Sequence, residues 1–307
     1  MKHYSVLLNE SIENLNIKED GIYVDGTLGY AGHSSEILKR IKNGKLFAFD
    51  QDSEAITCAN EKLKNISNNY EIIHSNFVNM KEELEKREIT KVDGILFDLG
   101  LSSPQIDNSE RGFTFMHDAP LDMRMNQTDK KTAADIVNNY PLEELMNIFY
   151  IYGEEKMSKP IALKIIEKRK QKEITRTSEL VEIIKEAVGA KYFNNKHPER
   201  QIFQAIRIEV NNELKVLEKV LPEAIELLKE KGRMCVITFH SLEDRIVKQI
   251  FKLNSEVDEM VKGLPQIPDE YKPKIKLINR KPILPSELEL SENSRSKSAK
   301  LRVIERV

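Results

Sequence analysis

The sequence predicts an α/β fold, a mostly parallel, Rossmann-like sheet interrupted by an all-helical domain. Three observations predict it. Short β-rich runs alternate with amphipathic helical patterns over the first third. A central stretch carries helical periodicity alone, and strand–helix alternation returns near the C-terminus.

In order, Gly21–Asp25 is a β-rich run ending in an acid. A helix follows from His33 to Lys42, with Ile37, Leu38 and Ile41 on one face and Gly44 as its stop. Lys45–Asp50 is the next strand, Ser53–Lys64 a helix, Glu71–His74 a third strand and Val92–Asp98 a fourth. From Thr132 to Asn211 the spacing is helical, punctuated by Pro141, Gly153 and Gly189. A helix over Glu213–Lys231, interrupted by Pro222, ends at Gly232. Arg233–Phe239 is a buried-type strand, Lys262–Ser298 reads as loop, and Leu301–Val307 alternates like an edge strand. The expected organisation is residues 1–105 and 213–307 as two parts of one domain, with 106–212 as the helical insertion.

Composition bounds the function. Apolar residues make up 40% of the 307, enough for a sizeable core. Charged residues reach 32% with a formal net charge of −2, so a nucleic-acid surface must be a local patch. The two cysteines, Cys58 and Cys235, exclude a disulfide framework and a cysteine zinc site and fit a reducing compartment. No metal-ligand cluster is visible. Met1–Glu10 lacks the pattern of a signal peptide, and no stretch reaches the ~18 apolar residues of a membrane span. A soluble, cytoplasmic protein is expected. Nothing selects a monomer or a homodimer.

Asp25-Gly26-Thr27-Leu28-Gly29-Tyr30-Ala31-Gly32-His33 joins the first strand to the first helix. Glycines there allow a sharp turn and close approach of backbone to a ligand. The next strand ends in Asp50, where an acid accepts hydrogen bonds from ribose hydroxyls. The glycine spacing is G-x-x-G-x-x-G, which differs from the dinucleotide fingerprint that seats a pyrophosphate. A cofactor without phosphate, such as S-adenosylmethionine, needs the close approach alone, and Asp25 beside the loop favours a cationic amino acid moiety. Alone, three glycines in a turn and a cap at Asp50 would explain as much; the ordered series of strand, loop, helix, strand and acid points to a cofactor.

Asp98-Leu99-Gly100-Leu101-Ser102-Ser103-Pro104-Gln105 follows the fourth strand, and ligands of open α/β sheets bind at such strand ends. An exocyclic amine on a base is a poor nucleophile because its lone pair is delocalised. Acceptors on Asp98, Ser102 and Ser103 can hold its hydrogens and turn the nitrogen toward a donor, and Pro104 leaves neighbouring carbonyls free. Methyl transfer then needs mainly alignment. Ser-Ser-Pro by itself is a common turn sequence.

These segments resemble the bacterial 16S rRNA cytosine-N4-methyltransferases, which modify a cytosine in the decoding centre of the small ribosomal subunit. The resemblance runs through Val6–Glu10, Asp25–Ser34, Asp98–Gln105, Arg111–Phe115, Pro120–Met125, Phe203–Asn211, Phe239–Arg245 and Asn293–Arg302. It implies a class I S-adenosylmethionine-dependent methyltransferase fold with a helical insertion, acting on 16S rRNA. It also implies cofactor contacts from Ala31, Gly32, His33, Asp50, Phe77, Asp98 and Gln105; Phe77 is an aromatic suited to lie against adenine. Two departures stand out. Ala31 occupies a position where the family often has glycine, and His197–Gln201 differs from the usual residues before Phe-Gln-Ala.

Other marked residues have two readings each. Arg111–Met125, with Arg111 and Phe113, is either a segment crossing the mouth of the site to meet a flipped cytosine or a packed loop. His240 either contacts RNA or opens a helix with Ser241 as N-cap. Arg295, Lys297, Lys300 and Arg302 form a basic tail suited to phosphate or simply solvated. Lys164, Lys168, Arg169, Lys170 and Lys172 read mainly as a solvated helix face. A DNA amino-methyltransferase is disfavoured because Gln105, in place of a second proline and an aromatic, follows Pro104. A non-catalytic cofactor-binding assembly factor and an NAD-dependent oxidoreductase are the further alternatives. No cysteine lies in the acid–Ser–Pro segment, so transfer without a covalent enzyme intermediate is expected.

Overall fold

The structure, a computed structural model, describes residues 5–262 and 264–307. In chain order the first elements are α1 (Leu8–Leu15), β1 (Ile22–Asp25), α2 (Gly32–Leu38), β2 (Lys45–Asp50), α3 (Ser53–Leu63), β3 (Tyr70–His74), α4 (Met80–Glu85) and β4 (Val92–Asp98). Next come α5 (Ser103–Asp107), α6 (Ala133–Asn139), α7 (Leu142–Ile151), α8 (Ser158–Arg169), α9 (Thr177–Val188), α10 (Ala190–Lys196) and α11 (Pro198–Asn211). The last are α12 (Glu213–Leu227), β5 (Leu228–Thr238), α13 (Ser241–Ser255), β6 (Ile275–Leu277), α14 (Glu287–Glu292) and β7 (Lys300–Arg306). The chain divides into two compact units, one of Met1–Gly100 with Leu214–Val307 and one of Leu101–Glu213.

The first unit is built on a seven-stranded sheet of order β3-β2-β1-β4-β5-β7-β6. The first five strands in that order are parallel, and β7 runs antiparallel to both β5 and β6. Parallel register brings the ends of β1, β2 and β4 to one edge, where Asp25, Asp50 and Asp98 are the last residues of their strands. Apolar runs in the central strands are buried on both faces, as parallel sheets require. Leu46, Ala48, Leu96, Cys235 and Ile237 join Leu28, Ile37 and Leu38 in one core. The second unit packs α6, α7, α8, α9 and α11 around Ile136, Leu145, Phe149, Ile161, Ile165, Leu180 and Ile206.

Three features differ from the sequence expectation. The terminal strand is interior, because β6 lies beyond it as the edge. Its alternating charges misled: Arg302 pairs with Asp244 at 2.7 Å, and Glu305 pairs with Arg233 at 2.9 Å, so both are buried with their charges matched. The expected loop Lys262–Ser298 contains β6 and α14, too short and polar to show a period. The helix after Glu213 passes through Pro222 but stops at Leu227, four residues before the expected Lys231. There the chain enters β5, and the pairing jumps from Val92–Leu228 to Gly94–Arg233, leaving Lys229–Gly232 as an irregularity that includes Lys231 at φ 63°.

Leu96, fully buried in the middle of β4, tests this core. Leu96→Ala should lower stability by about 2–5 kcal/mol, read as a reduced urea midpoint with an unchanged slope.

Candidate active site

The loop after β1 is organised by Asp25. This carboxylate is 1% exposed, and it accepts hydrogen bonds from Ser34 Oγ at 2.6 Å and Thr27 N at 3.1 Å. Burial nevertheless raises its pKa. Thr27 Oγ1 accepts from the backbone N–H of Asp98 at 2.6 Å, tying the loop to the end of β4. Gly29 N–H donates to Asp50 Oδ2 at 2.8 Å, and Leu28 N–H to the carbonyl of Phe49 at 2.9 Å, tying the same loop to β2. Asp25 therefore shapes the loop, where the sequence suggested a direct partner for a ligand's ammonium. The glycines are also used differently from expectation. A Cβ at Gly32 would collide with Ser5, and one at Gly26 with the Phe97 ring, so the close approach they permit is to the protein's own chain.

Asp50 Oδ1 accepts from Asp52 N–H at 2.9 Å, and burial pushes its pKa up to about 6. Asp98 Oδ1 is buried with no hydrogen-bond partner among the described residues. Burial first, and then the charges of Asp25, Glu243 and Glu289, hold the Asp98 carboxyl well above the usual range. His33 Nδ1 lies 3.6 Å from Asp98 Oδ2, beyond hydrogen-bond length. On its other side His33 Nε2 is 3.1 Å from the carbonyl of Val6, which can only accept, so Nε2 carries the hydrogen. Burial lowers the His33 pKa to about 4, and the ring is neutral. Phe77 is half-buried just after β3, with its ring edge-on to Phe97 at 5.4 Å between centroids.

One edge thus gathers a carboxylate at the end of β2, an unpartnered carboxyl oxygen at the end of β4, a neutral imidazole and two aromatic rings. The three strand-end acids disfavour a pyrophosphate and favour a ligand with hydroxyl donors and positive charge. S-adenosylmethionine, with its ribose diol, sulfonium and ammonium, fits that donor and charge pattern. Thr27, Ser34, Glu243 and Glu289 belong to this edge without having been singled out from sequence. Thr27 and Ser34 sat inside a marked motif; Glu289 lies in the stretch taken as loop, where nothing flagged it.

The remaining expected residues fall elsewhere. The backbone N–H of Ser102 donates to Gln105 Oε1 at 3.1 Å in the second unit, and Ser102 Oγ is buried without a partner among the described residues. The side chains of Ser103 and Pro104 lie outside what the structure describes. Arg111 is buried, and its Nη2 donates to the carbonyls of Arg124 and Met125 at 3.0 Å. That places it inside its own loop, as the packed-loop reading has it; Phe113 lies 5.8 Å from its guanidinium. His240, rather than Ser241, is the N-cap of α13, with Glu243 reaching back to the N–H groups of Phe239 and His240. Lys300 lies 3.3 Å from Asp244, Lys297 is exposed, and Arg295 is half-buried in a short 3-10 turn. Lys164, Lys168 and Lys172 pair with Glu167, Glu186 and Glu179. Arg169 donates to the carbonyls of Val137 and Tyr140. A surface cavity of about 710 Å³ beside α3 and β3 is lined by Ile56, Asn60, Tyr70 and Ile72 among others, none of them at the strand ends.

The sheet order with its single reversed strand, the loop between β1 and α2 and the acid ending β2 define a class I methyltransferase. More particularly, the chain belongs to the MraW methylase family, whose model matches residues 1–307, and its cofactor is S-adenosylmethionine. Among solved structures it is similar to an rRNA methylase from Streptococcus thermophilus, at 11% identity and a TM-score of 0.44, covering 100% of this chain and 99% of that one. It is also similar to a methyltransferase from Streptococcus mutans in complex with SAH, at 12% identity and a TM-score of 0.45, covering 100% of both chains. No helix among the described residues is long and apolar enough to cross a membrane.

Asp50 is the expected acceptor for the cofactor's ribose hydroxyls, and such contacts would favour the charged form that burial disfavours and make binding pH-dependent. Affinity for S-adenosylhomocysteine should be flat above about pH 7 and fall by up to about tenfold per unit below pH 6 as the carboxyl protonates. Calorimetry between pH 5 and 8 reads this, and Asp50→Asn should bind weakly with that dependence removed.

Proposed function

We propose that this chain transfers a methyl group from S-adenosylmethionine to the exocyclic N4 amine of a cytosine in the decoding centre of 16S rRNA, acting in the cytoplasm on the small ribosomal subunit. The observation that carries the reading is Asp98: a buried carboxyl whose Oδ1 has no partner among the described residues, at the strand end beside the cofactor loop. Membership of a methylase family and the motif resemblance along the chain support the choice of substrate.

The bound cofactor supplies an electrophilic methyl group on a cationic sulfonium. Asp50 would accept from its hydroxyl donors, and the loop of Ala31, Gly32 and His33 would help to hold it. Asp98 accepts one amine hydrogen, which turns the nitrogen lone pair out of the base plane and toward the methyl group. Positive charge near Asp98 opposes the repulsion from Asp25 and favours its carboxylate, which then stands ready for the proton the amine must lose. Ser102, Ser103, Pro104 and Gln105, next along the chain, complete the proposed set, and Lys297 and Lys300 offer phosphate contacts. Transfer is direct. Cys235 is buried with its thiol pushed up to about 12, and Cys58 is exposed on α3, so neither is poised to attack a ring.

Mass spectrometry of small-subunit rRNA from cells with and without the gene tests the reading. One decoding-centre cytosine should lose N4-methylation, regained with the wild type and absent with Asp98→Ala. In a purified assay the same variant should lose at least about a hundredfold in kcat. An unchanged rRNA methylation map would overturn the ribosomal assignment. Modification that persists with Asp98→Ala would overturn the role of the acid.

A further inference from the structure

Helix α13 carries an exposed face unlike those of the other long helices. Its exposed residues are Ser241, Arg245, Lys248, Gln249, Lys252 and Leu253, three bases and no acid. Spacings of three and four residues align Arg245, Lys248 and Lys252 as one stripe. The opposite face, Leu242, Ile246, Val247 and Phe251, is buried. On α8, by comparison, Lys164 and Lys168 have carboxylate partners. Lys248 and Lys252 have no ion pair among the described residues. In a chain of net charge −2, such a stripe is a concentrated positive feature.

Its place in the fold gives it meaning. Asp98 pairs in register with Ile237, and the next residue, Thr238, pairs with Lys300. Lys300 therefore stands two strand spacings, roughly 10 Å, from the end of β4. Asp244 in the first turn of α13 holds both Lys300 and Arg302, which fixes the start of the stripe against the catalytic edge and neutralises the nearest acid. From there Arg245 to Lys252 covers about 10 Å along the helix axis, leading away from that edge.

We infer that Lys300 and the Arg245–Lys248–Lys252 face of α13 form a track for the phosphodiester backbone of the RNA strand that carries the target base. The inference rests on the proposed RNA methylation and adds the surface that would hold the strand. Charge complementarity selects the occupant: Lys248 and Lys252, one helical turn apart and without an ion pair among the described residues, suit consecutive phosphates.

The test is the pair Lys248→Glu and Lys252→Glu in one full-length protein, beside a control of equal charge change, Lys64→Glu with Lys81→Glu, the first just past the end of α3 and the second on α4, at the far end of the sheet. Both positions of the test pair are exposed, so the fold is retained, and unchanged S-adenosylhomocysteine affinity checks it. Binding to a decoding-centre rRNA fragment is followed by anisotropy across salt concentrations, and methylation of the same fragment is assayed separately. The test pair should weaken binding about tenfold or more and reduce the salt slope by roughly 1.4, two phosphates at about 0.7 each. Where methylation is seen, KM should rise and kcat should hold. A slope equal to that of the wild type, or an equal loss in the control, overturns the track whatever the methylation result. Absence of methylation by the wild type would instead count against the proposed reaction, with the binding data still deciding the track.

Discussion

The catalytic edge depends on one buried carboxylate. Asp25 sits at the end of β1 with 1% of its surface exposed, and its oxygens hold Ser34 of α2 and the backbone of Thr27. With Thr27 fixed, its hydroxyl meets the N–H of Asp98, and the loop continues to Gly29, whose N–H meets Asp50. Three strands are thereby tied at their ends through a single turn. A buried charge of this kind is costly unless hydrogen-bonded, and removal of one partner leaves the rest exposed to that cost. The loop's geometry follows from satisfying Asp25, and the positions of the other two acids follow from the loop.

The same arrangement crowds negative charge. Asp50 and Asp98 both have raised pKa values, chiefly because burial disfavours the ionised form. In Asp98 the neighbouring charges of Asp25, Glu243 and Glu289 add to it. His33 offers no relief, since it is held neutral with its hydrogen on the side of Val6. A ligand bringing positive charge and hydroxyl donors improves every one of these interactions at once, whereas a phosphate worsens them. The preference expected for a sulfonium nucleoside over a dinucleotide thus has one electrostatic cause.

Much of this was legible in the sequence. Strands β1 to β4 stand out because parallel sheets bury both faces and read as apolar runs, and Asp25, Asp50 and Asp98 each close such a run. Gly26, Gly32 and Asp50 were marked for the right turn, although Gly26 and Gly32 make room for Phe97 and Ser5. What stayed hidden depended on partners distant in the chain. Arg302 looked like part of a basic tail until Asp244, 58 residues away, was seen to hold it. Arg111 allowed two readings, a contact to a flipped cytosine or a packed loop, and only the fold shows its guanidinium held by carbonyls 13 and 14 residues on. Glu289 reaches the site only through folding, where it accepts from the N–H of Leu7 across 282 residues. Local pattern reports burial well, but it cannot report which buried charge has found its counterpart.

Ala31 shows how far the loop is constrained. Its φ is 57°, in the left-handed region where a side chain costs roughly 1–2 kcal/mol, and glycine would sit there without that cost. The conformation is over-determined: Ala31 N–H donates to Leu28 at 2.8 Å, its carbonyl accepts from Ser35 N–H at 3.0 Å, and its methyl group is fully buried in the core. The buried methyl offsets part of the strain that glycine would avoid, and alanine narrows the backbone freedom of the unfolded chain as well. A loop that tolerates this residue is held by its surroundings rather than by its own preferences. A loop ordered by its own packing leaves less of any binding energy to be spent on ordering it.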